Sequence, residues 1–168
     1  MSVKTQKIAY LGLLGAAAIA LSFAESVATA ALALPAGVKP GLSNIAVMVA
    51  AGTVGLPAAL ALALLKAVFA LITRGPIAML MSGAGGLVSA LAVSVLIRAR
   101  KQPFGRVGIG IIGAVLHNAC QLIVAALLTA SPMLIFAWAP VLLFSAVVAG
   151  SVTGMLFGVV EKRFDGLL

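Results

Sequence analysis

The chain has 168 residues, of which 64% are hydrophobic and 8% are charged, and its mean hydropathy is +1.29. Soluble domains carry about 25% charged residues, so this composition excludes an ordinary water-exposed globular surface. The net charge of +8 does not indicate nucleic-acid binding, because the basic residues stand at the ends of apolar runs and are not clustered with aromatic residues.

The apolar residues form long runs and do not alternate with polar residues. Strands of a membrane barrel alternate at every second position, and the helix is the other structure that pairs every backbone group in lipid. The sequence therefore predicts a single membrane domain over residues 1–168, built as an all-α bundle of six transmembrane helices. The predicted spans cover residues 8–24, 42–56, 58–73, 77–97, 107–130 and 133–160.

The first apolar run resembles a signal peptide at its end, and the second is short. Residues 22–24 resemble a signal-peptide cleavage site, but the run before them approaches a full span in length, so we expect it to be retained. The second run follows a turn-rich loop at residues 34–41 and ends before Pro57, which suits a helix start. Because this run is short, we expect a tilted or shielded span.

Two later runs contain helix-perturbing residues. Residues 82–86 of the fourth run have the sequence Ser-Gly-Ala-Gly-Gly. So many glycines predict local unwinding or close backbone approach. Pro140 in the sixth run predicts a bend. Small residues also recur at every fourth position, which allows either close internal packing or docking of another membrane subunit. These stripes comprise Gly12, Ala16, Ala20 and Ala24 in the first run, and Gly150, Gly154 and Gly158 in the sixth.

The basic residues predict the orientation in the membrane. If the N-terminus is cytoplasmic, Lys39 and Arg74 flank outer helix ends, eight basic residues flank inner ends, and Lys66 lies within the third run. Cytoplasmic flanks are enriched in Lys and Arg, so an even number of crossings with both termini in the cytoplasm is predicted, as in a multi-pass protein of the cytoplasmic membrane. The eight inner residues are Lys4, Lys7, Arg98, Arg100, Lys101, Arg106, Lys162 and Arg163.

Ionisable side chains within a bilayer are costly, so each is a functional candidate. The ammonium of Lys66 requires an anion, carbonyl groups or a water-filled cavity beside it. It either forms a structural ion pair or contacts a substrate anion. His117 and Gln121 share a helix face with Gly113, while Asn118 lies on the adjacent face. Two interpretations of these polar residues stay open: they form hydrogen bonds to a neighbouring helix, or they contact a ligand. One histidine does not make a metal site, and no metal or cofactor is predicted.

Other polar residues stand near the predicted outer surface. Glu25 stands at the end of the first run and Asn44 at the beginning of the second. Glu25 either contacts a ligand or ion or lies at a solvated helix end. With Arg74, these groups are expected to converge on one cavity open to the exterior. Its basic members outnumber Glu25, so we expect an anionic or carbonyl-rich small molecule. The predicted ligand-binding residues are Glu25, Asn44, Lys66, Ser82, His117, Asn118 and Gln121.

Three segments resemble the Gx transporter family in order and spacing: residues 35–45, 82–89 and 113–122. That family is similar to the substrate-binding S components of energy-coupling factor transporters. The resemblance implies a six-helix, ligand-capturing membrane subunit with both termini inside, which works with a coupling subunit and ATPases. It also implies that Ala16 and Ala20 contact the coupling subunit and that Lys66 occupies a position where a basic residue is expected.

Members of this family also carry the label heptaprenyl diphosphate synthase component I. Prenyl transfer requires aspartate-rich motifs that hold magnesium and diphosphate, and this chain has one aspartate, Asp165. We therefore predict neither catalytic residues nor enzymatic activity. Three functions stay open: a transporter substrate-binding subunit, a non-catalytic membrane partner of a prenyl diphosphate synthase, and a carrier coupled to protons or ions through His117 and Glu25.

Overall fold

The computed structural model describes residues 3–31, 41–99 and 104–164. Over these residues the chain is all-helical and contains six helices, as the sequence predicts. The predictions made for the 34–40 part of the first loop and for Lys39, Arg100, Lys101 and Asp165 lie outside the described residues. The helices are α1 (Val3–Ala31), α2 (Asn44–Thr53), α3 (Leu56–Arg74), α4 (Pro76–Arg98), α5 (Gly105–Leu128) and α6 (Met133–Phe164).

Helix α2 is much shorter than the other five, which are long and apolar enough to cross a membrane. It has 10 residues, which extend about 15 Å at 1.5 Å per residue. A hydrocarbon core is about 30 Å thick, so α2 covers about half of it. The second apolar run thus forms a helix that is shorter than the predicted span over residues 42–56.

Two glycines explain why α2, α3 and α4 follow one another so tightly. Gly55 has a φ of 118° and Gly75 a φ of 87°, in a region that residues with a Cβ rarely adopt. A proline follows each glycine in the first turn of the next helix, at Pro57 and Pro76. Proline suits that position because its fixed φ is helical and its missing N–H has no partner there.

The glycine-rich part of α4 remains helical, because α4 is continuous from Pro76 to Arg98. The expectation of local unwinding is therefore wrong, and that of close backbone approach is confirmed. A Cβ built on Gly85 would lie 2.7 Å from the backbone oxygen of His117, and one on Gly86 would lie 3.3 Å from Ala63 Cβ. Helix α6 likewise continues through Pro140.

The described helices pack around α2. Helix α2 contacts α1, α3, α4 and α6, while α3, α4, α5 and α6 pack against each other in succession. Its six consecutive residues 46–51 are all buried, so every side of α2 faces another helix. Helix α1 packs against α2 and α3.

The two small-residue stripes have different environments. In α6, Gly150 and Gly154 lie against the backbone of α5, where a Cβ on Gly110 would overlap the backbone oxygen of Gly150. This stripe therefore serves internal packing. In α1, Ala16 and Ala20 are exposed and Gly12 has open space where a Cβ would stand, so that stripe covers no other described helix.

Contacts between helix ends show the direction of each helix. Thr53 at the end of α2 lies 3.5 Å from the hydroxyl of Tyr10 in α1, and Gly52 packs against the ring of Phe157 in α6. An ion pair between Arg106 and Glu161 joins the beginning of α5 to the end of α6. The beginning of α1 and the end of α6 therefore lie at one end of the bundle, which we call the closed end. The N-terminus of α2 points towards the opposite, open end.

Candidate ligand cavity

A cavity of about 600 Å³ lies between the N-terminus of α2 and the open end of the bundle. It exists because α2 is short and leaves the centre of the bundle unfilled at that end. Cavities of about 300–1,000 Å³ are usual for small-molecule sites. Its polar lining residues come from α1, α3, α4, α5 and the segments that flank α2 and α5: Ser22, Glu25, Ser26, Ser43, Lys66, Arg74, Ser82, His117, Gln121 and Thr129.

Glu25 in α1 binds the N-terminus of α2. Its carboxylate accepts hydrogen bonds from the backbone N–H of Ser43, at 3.1 Å, and from the hydroxyl of Ser43, at 3.0 Å. A helix N-terminus has unpaired N–H groups and a partial positive charge, which a carboxylate stabilises. Glu25 is only 3% exposed, so the interpretation of this residue as a solvated helix end is wrong.

Lys66 in α3 lies at the bottom of the cavity and is 5% exposed. Its ammonium donates a hydrogen bond of 2.6 Å to Oδ1 of Asn44. Within the described parts of the chain Lys66 makes no salt bridge, so its observed partner there is an amide oxygen. An ammonium has three donor hydrogens, so this bond leaves donors for a group in the cavity.

Asn44, the first residue of α2, supports Lys66 from below and does not line the cavity wall. Asn118 also lies away from the wall. Its amide nitrogen donates a hydrogen bond of 3.1 Å to the backbone oxygen of Leu142 and lies 3.4 Å from the hydroxyl of Ser145. Asn118 therefore joins α5 to α6, one helical position away from the residues that face the cavity.

His117 and Gln121 line the cavity from α5, as their spacing of four residues predicts. They are 7% and 6% exposed, respectively. The close approach of Gly85 to the backbone of His117 fixes the position of α5 relative to α4. Oε1 of Gln121 is buried and accepts no hydrogen bond from the described residues. Ser82 reaches the cavity from α4.

Sequence reasoning missed several cavity residues. Ser22 and Ser26 flank Glu25 on one face of α1, and their spacing of three and four residues was a usable signal. Ser43 precedes α2 and is the residue type favoured at a helix N-cap, but its bond to Glu25 depends on a residue 18 positions away. Thr129 follows α5 and carries no distinguishing pattern.

The cavity has an excess of one positive charge among its described lining residues. Lys66 and Arg74 are positive, while Glu25 is negative. The remaining wall is largely apolar and includes Ile77, Ala78, Met81, Ala125, Leu128 and Leu134. The described residues hold no group of three or more His, Cys, Asp or Glu side chains that could bind a metal ion.

Five membrane-length helices and a charged central cavity define a polytopic protein of the helical membrane class. The chain belongs to the family described as heptaprenyl diphosphate synthase component I, whose family model matches residues 14–160. This match confirms the second label that the sequence resemblance gives. Searches among curated proteins and among solved structures found no match.

Proposed function

We propose that this protein is the membrane-embedded substrate-binding subunit of a small-solute transporter and that it captures an anionic ligand in the cavity. The observation that carries the proposal is the buried ammonium of Lys66, which lines the cavity and has an amide as its partner within the described chain. A charge away from water is costly unless it is paired. A ligand anion supplies a negative charge that can pair directly with this ammonium.

The distribution of charge supports a cavity that opens to the cell exterior. The closed end of the bundle carries Lys7, Arg98, Arg106, Lys162 and Arg163, whereas Arg74 stands at the open end. Cytoplasmic flanks are enriched in Lys and Arg, so we assign the closed end to the cytoplasm. The chain then crosses the cytoplasmic membrane six times, with α2 in the second crossing, and both termini are cytoplasmic.

The exposed stripe of α1 supports a partner subunit. Ala16 and Ala20 project from α1 away from the described helices, and small residues let two membrane helices approach closely. We assign this stripe to a transmembrane coupling subunit, with partner ATPases as the energy source. The chain has no GxxxxGK[ST] phosphate loop, so in this proposal ATP hydrolysis belongs to the partners.

The proposal is tested by looking for a retained ligand. The protein is purified in lipid nanodiscs and analysed by native mass spectrometry, beside the variants Lys66→Ala and His117→Ala. We expect a small anion on the wild type and none on either variant. The control variant, Ser151→Ala, removes a hydroxyl that bonds within α6 away from the cavity and should retain the ligand. An unchanged ligand on both cavity variants, with normal size-exclusion profiles, contradicts the proposed site.

The family description favours a second candidate function, because it places this family among the components of a prenyl diphosphate synthase. In that case the protein is a non-catalytic membrane partner of a soluble synthase in isoprenoid or quinone metabolism. Co-purification from native membranes separates the two candidates. ATPase and coupling subunits support the transporter subunit, whereas a prenyl synthase supports the second function.

A further inference from the structure

In the described part of the chain, the ring of helices around the cavity is not closed by helix packing on one side. Helix α1 packs against α2 and α3, and α6 packs against α5 and α2, while any contact between the described parts of α1 and α6 is marginal. Nevertheless both helices line the cavity, α1 through Ser22, Ser26 and Ala30 and α6 through Leu134. Among the described residues, the side of the cavity between α1 and α6 is therefore not closed by packed helices, and we call it the lateral opening. In a bilayer this opening faces the lipid chains.

The cavity is polar on its floor and becomes largely apolar towards the open end, where Arg74 and Thr129 are polar lining residues. On α5, the polar residues His117 and Gln121 precede the apolar residues Ala125 and Leu128 by one to three helical turns towards the open end. On α1, Ser22 and Glu25 lie deeper than Ala30. The ammonium of Lys66 and the N-terminus of α2 form the floor. A ligand that matches this lining has a polar head and an apolar remainder.

The floor also defines the chemistry of the head. Lys66 supplies a cationic donor, and the carboxylate of Glu25 is engaged by Ser43. Gln121 also lines the cavity, and its side-chain amide can both donate and accept hydrogen bonds. An anionic group with hydrogen-bonding oxygens can pair with the ammonium of Lys66 and bond to this amide. A singly protonated phosphate monoester is an example of such a group.

We propose that the ligand is an amphiphile whose anionic head lies on this floor and whose apolar chain lies in the opening between α1 and α6. This inference rests on the proposed function, because it names the ligand class of the same cavity. It assigns the lateral opening to the apolar chain of the ligand, and the ammonium of Lys66 to its head.

The first test compares chain length and charge with defined probes. Butyl, octyl and dodecyl phosphate are titrated into the wild type and Lys66→Ala in nanodiscs, and the variant corrects for partition into lipid. We expect affinity to rise at least tenfold from butyl to dodecyl phosphate, and dodecyltrimethylammonium not to bind. Equal affinity for the three phosphates overturns the amphiphile but leaves a Lys66-dependent anion site. Binding that does not depend on Lys66 contradicts the proposed function as well.

The second test closes the lateral opening. Cysteines replace Ala30 and Leu134 in a Cys120→Ser background and are joined by bismaleimides of graded length. We expect the cross-linked protein to lose most of its binding of dodecyl phosphate and to keep that of butyl phosphate. The two single-cysteine variants, treated with the same reagent, are the controls. Undiminished binding of dodecyl phosphate after cross-linking overturns the placement of the chain between α1 and α6.

Discussion

The ammonium of Lys66 donates a 2.6 Å hydrogen bond to Oδ1 of Asn44 and thereby joins α3 to the first residue of α2. On the other side of the same helix end, the carboxylate of Glu25 accepts two hydrogen bonds from Ser43. Two oppositely charged side chains thus hold the N-terminus of α2 beneath the cavity. The residues that fix this short helix also form the floor of the proposed binding site.

Replacing Asn44 by Asp should weaken anion binding and preserve the fold. The two side chains have nearly the same shape, but the carboxylate would pair with Lys66 and neutralise the charge that a ligand anion needs. We expect the affinity for octyl phosphate to fall by about tenfold or more. Asn44→Ala, which removes the hydrogen bond but leaves the charge of Lys66, should lose less affinity. Equal losses in both variants would show that the charge of Lys66 does not act on the ligand.

Replacing Glu25 by Gln should have the opposite effect on binding. The amide oxygen can still accept a hydrogen bond from Ser43, but the negative charge beside the helix N-terminus is lost, at a cost of about 0.5–2 kcal/mol in stability. The cavity then gains net positive charge, so the affinity for octyl phosphate should rise severalfold. A thermal-shift assay and a titration in nanodiscs measure the two effects. A fall in affinity with stability preserved would show that Glu25 itself contacts the ligand.

Two glycines in α4 provide a matched pair of variants. A Cβ on Gly85 would lie 2.7 Å from the backbone oxygen of His117, whereas one on Gly83 would make an ordinary 3.5 Å contact with Ala67. Gly85→Ala should therefore displace α5, destabilise the protein by about 1–3 kcal/mol and impair ligand retention. Gly83→Ala should leave ligand retention unchanged and raise helix stability by up to about 1 kcal/mol. Ligand retention by a folded Gly85→Ala variant would show that the site does not depend on this close approach.

A second glycine pair tests the packing of α5 against α6. Gly110→Ala places a methyl group against the backbone of Gly150 and should destabilise the protein by about 1–3 kcal/mol or more. Gly12→Ala meets open space on α1 and should raise helix stability by up to about 1 kcal/mol. Reversible unfolding in detergent with a graded denaturant measures both. Equal effects would contradict the packing of α5 on α6 described above.

The exposed stripe of α1 is tested by adding bulk. Ala16→Phe and Ala20→Phe should abolish co-purification of a coupling subunit while leaving the retained ligand unchanged, because neither residue lines the cavity. Ala137→Phe makes the same change at an exposed position of α6 and is the control. Co-purification that survives both α1 variants removes the docking surface without affecting the binding site.

The sequence predicted the helices well but not the length of α2. Apolar runs define helices in lipid because each helix pairs its own backbone groups, and this requirement is local. The run over residues 42–56 contains no charge, so nothing in its composition separates the helical residues 44–53 from those after them. Helix α2 ends just before Gly55, whose backbone has a positive φ, and close to Gly52, which packs on the ring of Phe157. Both depend on residues far apart in the chain.

The asparagine side chains near the cavity show the same limit of prediction from sequence. Lys66, His117 and Gln121 are polar residues within apolar helices, and all three line the cavity. Asn44 and Asn118 carry the same signal in sequence, yet one supports Lys66 and the other binds the backbone of α6. A rotation of about 100° per residue separates Asn118 from His117. Which of these faces meets a cavity is decided by the neighbouring helices.

The amino-acid sequence by itself determined that the chain is helical, where most helices begin and end, and which polar side chains the interior must accommodate. These properties follow from the cost of unpaired backbone and charge in an apolar medium, which acts on each segment separately. Only the tertiary structure decided that α2 stops halfway, that Glu25 caps it and that α1 and α6 stand apart. Those features arise from close contacts between backbones, which are fixed only when all the helices pack together.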